Sequence, residues 1–339
     1  MPLFKAEYLL RITEKIFKAA GATDREAKRV AEHLVKSNLA GHDSHGIMVI
    51  PEYIEMIEKG LIRPGAKMEI VRETLTTALV EGNWGFGQVI AEKAMEIAIE
   101  KAKKAGVSAI GVRHVYHIGR LGYYSSMAAE RDMIGAVICN TGPIMAPYGG
   151  RSRILGSNPI SVALPASRMI FLMDFATSVV AGNKILLAHN RGEKIPLGWM
   201  LNKNGEPTNN PAEILKGGVL LPFGRHKGYA LALLIDILGG ALTGHGCTSS
   251  VELKSGNGTF MAVINIRNFL PVQEFKKKVD LLFEAVKGSP TVKGAEIFIP
   301  GEPEWRAEEK RRKEGIFVSE ETWKRIKKIA QKLGVNILV

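Results

Sequence analysis

Cysteine is nearly absent from this 339-residue chain: only Cys139 and Cys247 occur, with no Cys-x-x-Cys pair. Two isolated thiols argue against a disulfide framework and against a cysteine-built zinc site. They suit a reducing cytoplasm, the expected compartment. Long apolar runs are missing too, and none approaches the roughly 18–20 residues a membrane span needs. The longest, Tyr229 to Leu238, is interrupted by Asp236 and ends at Gly239-Gly240, so it reads as a buried helix. The N-terminus lacks the basic, apolar, then small pattern of a secretory signal, and none is expected. No G-x-G-x-x-G follows a predicted strand and no G-x-x-x-x-G-K-[ST] is present; the Gly82–Gly87 cluster has the wrong spacing. Neither a Rossmann fingerprint nor a P-loop is present, so phosphate-loop spacing cannot be used to claim a nucleotide.

Charge is not scarce. The net charge is +12, with 46 Lys and Arg against 34 Asp and Glu. The one tight basic cluster, Lys310-Arg311-Arg312-Lys313, is bracketed by Glu308, Glu309 and Glu314. It belongs to a run from Glu304 to Lys332 that alternates in sign and reads as a solvated helical face. No aromatic residues are interleaved there to stack bases, so no nucleic-acid partner is expected. The positive excess can instead steer an anionic substrate or cofactor. Hydrophobic residues, at 46% of the chain, allow a sizeable core.

Thr23-Asp24-Arg25-Glu26 is a capping box. It opens a helix with Ala27, Val30, Ala31, Leu34, Val35 and Leu39 on one face, and Gly41 as its C-terminal stop. Pro51 begins another helix, residues 52–59. Strands are predicted over 75–80, 107–112, 133–139, 160–164, 170–173 and 259–266. Helices are predicted over 89–104, 121–130, 229–242, 272–286 and 320–333, with Ser319 capping the last. Residues 190–210 are loop-rich. The mixture predicts an α/β fold, with helical chain ends able to pack as a second unit.

Histidine carries the chemistry. His42 and His45 are three apart, as are His114 and His117, and residues three apart share a face on a helix. Such pairs suit a metal site, acid–base catalysis or buried structural hydrogen bonds, and spacing leaves all three open. Asp43 and Ser44 can orient an imidazole, and Gly46 and Gly119 let a ligand approach the backbone. Asn140-Thr141-Gly142-Pro143 and Asp174-Phe175-Ala176-Thr177-Ser178 each follow a predicted strand, where α/β folds often place sites. The second also reads as a helix N-cap. His226-Lys227-Gly228-Tyr229 opens an apolar helix, which suits an anion or simply a solvated helix end.

Taken together, these motifs resemble the type 2 malate/L-lactate dehydrogenase family, which includes sulfolactate, ureidoglycolate and diketogulonate dehydrogenases. The similarity runs through Asp43-Ser44-His45-Gly46, Pro51-Glu52-Tyr53, His117-Ile118-Gly119-Arg120 and Gly122-Tyr123-Tyr124. It continues through Pro147-Tyr148-Gly149-Gly150, Leu155-Gly156-Ser157-Asn158-Pro159 and Asp174 to Ser178. Ile195-Pro196-Leu197-Gly198-Trp199, Gly205-Glu206-Pro207-Thr208, His226 to Ala230 and Pro300-Gly301-Glu302 complete it.

The resemblance implies a non-Rossmann, nicotinamide-binding α/β core with a mixed sheet, residues 66–302. It also implies a smaller helical domain from both termini, 1–65 with 303–339, and a homodimer. The implied activity is reversible hydride transfer between NAD or NADP, NAD being favoured, and a 2-hydroxy acid/2-oxo acid pair: malate, lactate or a related hydroxycarboxylate. His117 is implied as the acid–base residue, with His45 its competitor and Ser44 beside it; no metal is required. Arg120 and Tyr53 are implied as substrate contacts. The dinucleotide is implied to lie along Gly119-Arg120-Leu121, Thr141, Asp174-Phe175-Ala176-Thr177-Ser178, His226-Lys227, Asn257 and Pro300-Gly301-Glu302.

Two positions depart from the pattern. Many members have arginine where this chain has Val49, and Gly-Gly where it has Gly224-Arg225. Both departures resemble the hydroxycarboxylate dehydrogenase branch, and they make Arg120 the substitute carboxylate partner. The rival readings are a metal-dependent hydrolase using the two His-x-x-His pairs and a nucleic-acid-binding module.

Overall fold

The computed structural model describes residues 3–250 and 255–337. The chain opens with β1 (Leu3–Phe4), α1 (Ala6–Ala19), α2 (Asp24–Leu39) and α3 (Ile50–Glu58). Then follow β2 (Glu69–Glu73), β3 (Thr77–Glu81), α4 (Gly87–Ala105), β4 (Val107–Arg113), α5 (Gly122–Ala129) and β5 (Met133–Cys139). The middle comprises β6 (Ile160–Pro165), β7 (Ile170–Phe175), α6 (Gly182–Asn190), β8 (Met200–Leu201), β9 (Val219–Leu220) and α7 (His226–Asp236). The last part holds β10 (Thr259–Asn265), α8 (Val272–Lys287), α9 (Glu302–Glu314), β11 (Ile316–Phe317) and α10 (Glu320–Lys332).

Seven strands form a mixed sheet in the order β2-β3-β4-β10-β5-β6-β7, with β3 and β4 its one parallel pair. Alternation sets the faces. Ser108, Ile110 and Val112 of β4 point inward, as do Thr259, Met261 and Val263 of β10. The apolar ones meet the buried side of α4, including Ala91, Ala94, Met95 and Ala98, in one core. The register Met261↔Val137 and Thr259↔Cys139 carries this core into β5. Cys139 is buried and Cys247 partly so, and the two form no disulfide with each other.

A second core joins the chain ends. Leu3 pairs with Phe317 and Phe4 with Ile316, antiparallel. Ile16, Phe17, Leu34, Tyr53, Ile54, Ile316 and Ile326 are buried together there. The Thr23 capping box forms on both sides: Glu26 N–H donates to Thr23 Oγ1 at 3.3 Å, and Thr23 N–H donates to Glu26 Oε2 at 2.9 Å. All six apolar residues expected on the inner face of α2 are buried.

Three expectations change. The 229–242 segment is not a buried helix. It is α7 followed by a π-helical turn, Ile237–Ala241. Leu234 is 49% exposed and Leu242 61%. A helix apolar on all sides buries only Gly228, Ala232, Ile235 and Asp236 within this chain. The sign-alternating run is two helices, α9 and α10, separated by β11, because Gly315 at φ 105 breaks the helix. The Asp174 segment caps no helix; Asp174 and Phe175 are the last residues of β7. No helix among the described residues is long and apolar enough to cross a membrane.

Candidate active site

Ser44 and His45 lie on a single 3-10 turn, Asp43–His45, just beyond α2. Asn38, in the last turn of α2, holds that turn from below. Its Oδ1 accepts from Ile47 N–H at 2.8 Å and its Nδ2 donates to Asp43 Oδ1 at 2.6 Å. A Cβ at Gly46 would stand 2.2 Å from Asn38 Oδ1, so only glycine fits. Arg311 of α9 grips the turn from the other side, donating to Asp43 Oδ1 at 2.6 Å and Oδ2 at 3.0 Å. His42 meets Glu304 of α9 at 3.1 Å.

His117 arrives from the sheet, on the segment between β4 and α5. Ile118 N–H donates to Asn257 Oδ1 at 3.0 Å, while Asn257 Nδ2 donates to Asn140 O at 2.8 Å. The chain then turns at Gly119, φ +78, where a Cβ would lie 2.2 Å from His33 Nε2. Arg120 N–H donates to that same nitrogen at 3.0 Å. Buried His33 thus shapes the turn that presents His117 and Arg120.

The two predicted histidines meet. Their ring centroids are 5.7 Å apart with planes inclined by 27°. Ser44 Oγ is 2.9 Å from His45 Nδ1, and Tyr53 Oη is 2.6 Å from His117 Nδ1. Burial drives His117 down to about 4. Burial first, then the neighbouring His117 and His42, drives His45 down to about 3. Both rings are therefore neutral at pH 7, as a general base must be. Tyr53 is 1% exposed, and its hydroxyl also lies 2.6 Å from the Gln88 carboxamide. Burial raises its pKa well above the usual phenol value, so it stays protonated. The hydroxyl implied as a substrate contact is thus hydrogen-bonded to the imidazole.

Arg120 is buried beside them. Its Nε lies 3.5 Å from Asp174 Oδ2 and has no hydrogen-bond partner among the described residues. Asp174 Oδ2 accepts from Gly122 N–H at 2.9 Å, tying the end of β7 to the start of α5. Burial raises the Asp174 carboxyl, with Arg120 opposing.

The other expected residues have different local partners in the fold. Thr141 N–H donates to Asn158 Oδ1 at 3.0 Å. Thr177 is linked to the approach to α7, since Phe223 N–H donates to Thr177 O. Ser178 Oγ donates to Val180 O, and Phe175 packs edge-on against Phe223; Ala176 lies between. Pro300 O accepts from Leu172 N–H, and a Cβ at Gly301 would meet Ile170 O at 2.8 Å. Glu302 is held by Lys287 at 2.6 Å and Arg306 at 2.6 Å. The Leu121 side chain is in the sheet core. His226 and Lys227 open α7 and are exposed, with Tyr148 edge-on to His226. Sequence reasoning passed over His33, Asn38 and Gln88, which look like ordinary helix residues until the fold places them.

The two His-x-x-His pairs separate. His42 turns to Glu304, whereas His114 turns to Glu81 at 2.9 Å and His245. Neither pair is on one helical face, and among the described residues no group of three or more His, Cys, Asp or Glu side chains is placed to hold a metal.

The family model for malate/L-lactate dehydrogenase matches residues 4–327. This chain belongs to the malate/L-lactate dehydrogenase family. It is 41% identical to L-sulfolactate dehydrogenase of Methanocaldococcus jannaschii over 99% of this chain and 98% of the relative. It is 34% identical to hydroxycarboxylate dehydrogenase B of Escherichia coli, over 98% and 94%. The solved sulfolactate dehydrogenase from M. jannaschii superposes with a TM-score of 0.92 at 40% identity, covering 99% of this chain and 98% of that one.

The two departures from the family pattern have structural readings. Val49 is buried in the helical core. Arg225, where many members have a second glycine, keeps φ 58 and ψ −116, a conformation that favours glycine.

Proposed function

We propose that the chain reversibly transfers a hydride between NAD or NADP and a 2-hydroxy acid/2-oxo acid pair, with His117 as the acid–base residue. One observation carries this reading: two neutral imidazoles face each other at 5.7 Å beside the buried Arg120 guanidinium. A neutral His117 takes the C2 hydroxyl proton, and the imidazolium returns it in reduction. Arg120, whose Nε faces Asp174 at 3.5 Å, binds the carboxylate through its guanidinium. Ser44 and His45 bound the opposite side of the centre.

The residues present fit a nicotinamide dinucleotide. Lys227, at the exposed start of α7, suits a phosphate. When bound, the nicotinamide supplies the hydride acceptor or donor. Gly119 to Leu121, Thr141, Asp174 to Ser178, His226-Lys227 and Pro300 to Glu302 are the residues that would hold it. Asn257 acts from behind, by fixing Ile118 and Asn140.

The helical unit, 1–65 with 303–339, then supplies His45, and the 66–302 unit supplies His117 and the cofactor face. The exposed apolar side of α7 and the turn after it, with Leu233, Leu234 and Ile237, supports a homodimer. The cytoplasm is the compartment such a cofactor suits. The deciding assay follows nicotinamide absorbance with NADH and NADPH against sulfopyruvate, oxaloacetate, pyruvate and aryl-pyruvates. Turnover with one of them supports the reading; absorbance that stays flat with every pair sinks it.

A further inference from the structure

We propose that Gln88 is a positioning residue that sets, through the Tyr53 hydroxyl, which ring nitrogen of His117 carries the proton. The inference rests on the acid–base reading of His117.

The geometry is a three-member chain. Gln88 Nε2 is 2.6 Å from Tyr53 Oη, and Tyr53 Oη is 2.6 Å from His117 Nδ1. A phenol has one hydrogen to donate. When Gln88 donates through Nε2, that hydrogen goes to His117 Nδ1, and the neutral ring keeps its own proton on Nε2. When the carboxamide turns by half a revolution, Oε1 accepts from Tyr53. The phenol oxygen then accepts from His117 Nδ1–H, and Nε2 is bare. Taking a proton from a hydroxy acid at Nε2 requires the second arrangement. The imidazolium formed keeps its Nδ1–H partnered with Tyr53. A carboxamide permits both directions because it carries a donor and an acceptor on one hinge.

Burial makes the choice consequential. Gln88 is 2% exposed and Tyr53 1%, which leaves no bulk water to satisfy a misdirected hydrogen. Gln88 is fixed by its neighbour: a Cβ at Gly87 would lie 2.5 Å from His117 O and from Tyr116 O, so the start of α4 presses on the segment bearing His117. The other titratable groups around His117 are His45, His33 and Arg120. Glu52 stands behind Tyr116, which donates to it at 3.3 Å. None of these is hydrogen-bonded to His117 Nδ1.

The test uses the full-length protein with 15N-labelled histidine, the His117 signals being identified by their loss in His117→Gln. The parent should show Nδ1–H; in Gln88→Leu, Tyr53 can donate only to His117, so the NMR shifts should report a bare Nδ1. Hydroxy-acid oxidation should fall by roughly tenfold or more, and the acid limb of its pH profile should move down by about one unit. Gln88→Glu, which still accepts from Tyr53, should keep Nδ1–H and turnover within a few fold of the parent. An unchanged tautomer in Gln88→Leu overturns the proposal. So does equal loss of turnover in both variants without a tautomer change, since packing alone explains that. A changed tautomer with unchanged turnover upholds the role of Gln88 and removes His117 as the acid–base residue.

Discussion

His45 and His117 stand 5.7 Å apart, ring to ring, yet they reach that position on different parts of the fold. His45 comes off α2 in the helical core, and His117 comes off β4 in the sheet. Each ring raises the cost of charging the other, so the pair favours one imidazolium at a time. His117→Ala is expected to cut turnover by roughly 10²–10⁴. His45→Ala should cost less. Steady-state kinetics on both variants decides the order, and a larger loss in His45→Ala exchanges the roles.

The same burial makes stability depend on pH. His117, His45 and His245 are driven down to about 4, 3 and 4, and His33 is lowered well below the ordinary value, burial being the largest cause for each. Groups with depressed folded values stay neutral in the native state but bind protons in the unfolded chain below about 6.5. Their contribution is therefore complete above that pH and is lost as pH falls towards the folded values. Each should remove roughly 1.4 kcal/mol per pH unit across that window. Urea midpoints should fall from pH 7 to pH 5; a flat series would contradict the neutral burial of these rings.

Arg311 touches no reacting atom, yet it clamps the Asp43–His45 turn through two oxygens of Asp43. Arg311→Ala should lower kcat/KM by roughly tenfold through loosened placement of His45. The ion pair is partly exposed, so the melting temperature should move little. A large melting shift with unchanged kinetics would make the pair a stability element only.

Gly119→Ala introduces a Cβ at φ +78 into the space occupied by His33 Nε2. The variant should lose about 2–4 kcal/mol of stability and most of its activity. Adding His33→Ala should recover part of that loss, because the collision partner is gone. Additive losses in a double-mutant cycle would show that the two positions do not interact.

Arg225 holds φ 58 and ψ −116 without the freedom of glycine. Arg225→Gly should relieve strain of roughly 1–3 kcal/mol, less about 0.5–1 kcal/mol of added chain entropy. A net rise in the urea midpoint is expected. A fall would mean that the arginine side chain more than offsets its backbone strain.

Much of this was legible in the sequence because the signals are local. The Thr23 capping box, the inner face of α2 and the strands expected over 107–112, 133–139 and 259–266 each depend on near neighbours, and each forms where it is expected. β2 was not legible, since all five of its residues are exposed and show no alternation. The exposed side of α7 was read as core because an apolar residue carries no mark of whether it meets its own chain or another surface. At the site, the family motifs brought His45, His117 and Arg120 forward. They could not bring forward Gln88, His33 or Asn38, whose roles arise from contacts across 35, 87 and 9 positions of sequence. Spacing also suggested two histidine pairs where the fold builds a different one, because neither segment is an α-helix.

The clamp on Asp43 sets an order of events during synthesis. Asp43 and Arg311 are separated by 268 positions, and β11, which closes on β1, is later still. A ribosome that has finished the whole sheet has not yet made the arginine that fastens the Ser44–His45 turn. The Ser44–His45 turn therefore cannot be fastened before α9 exists, however early the rest of the sheet folds.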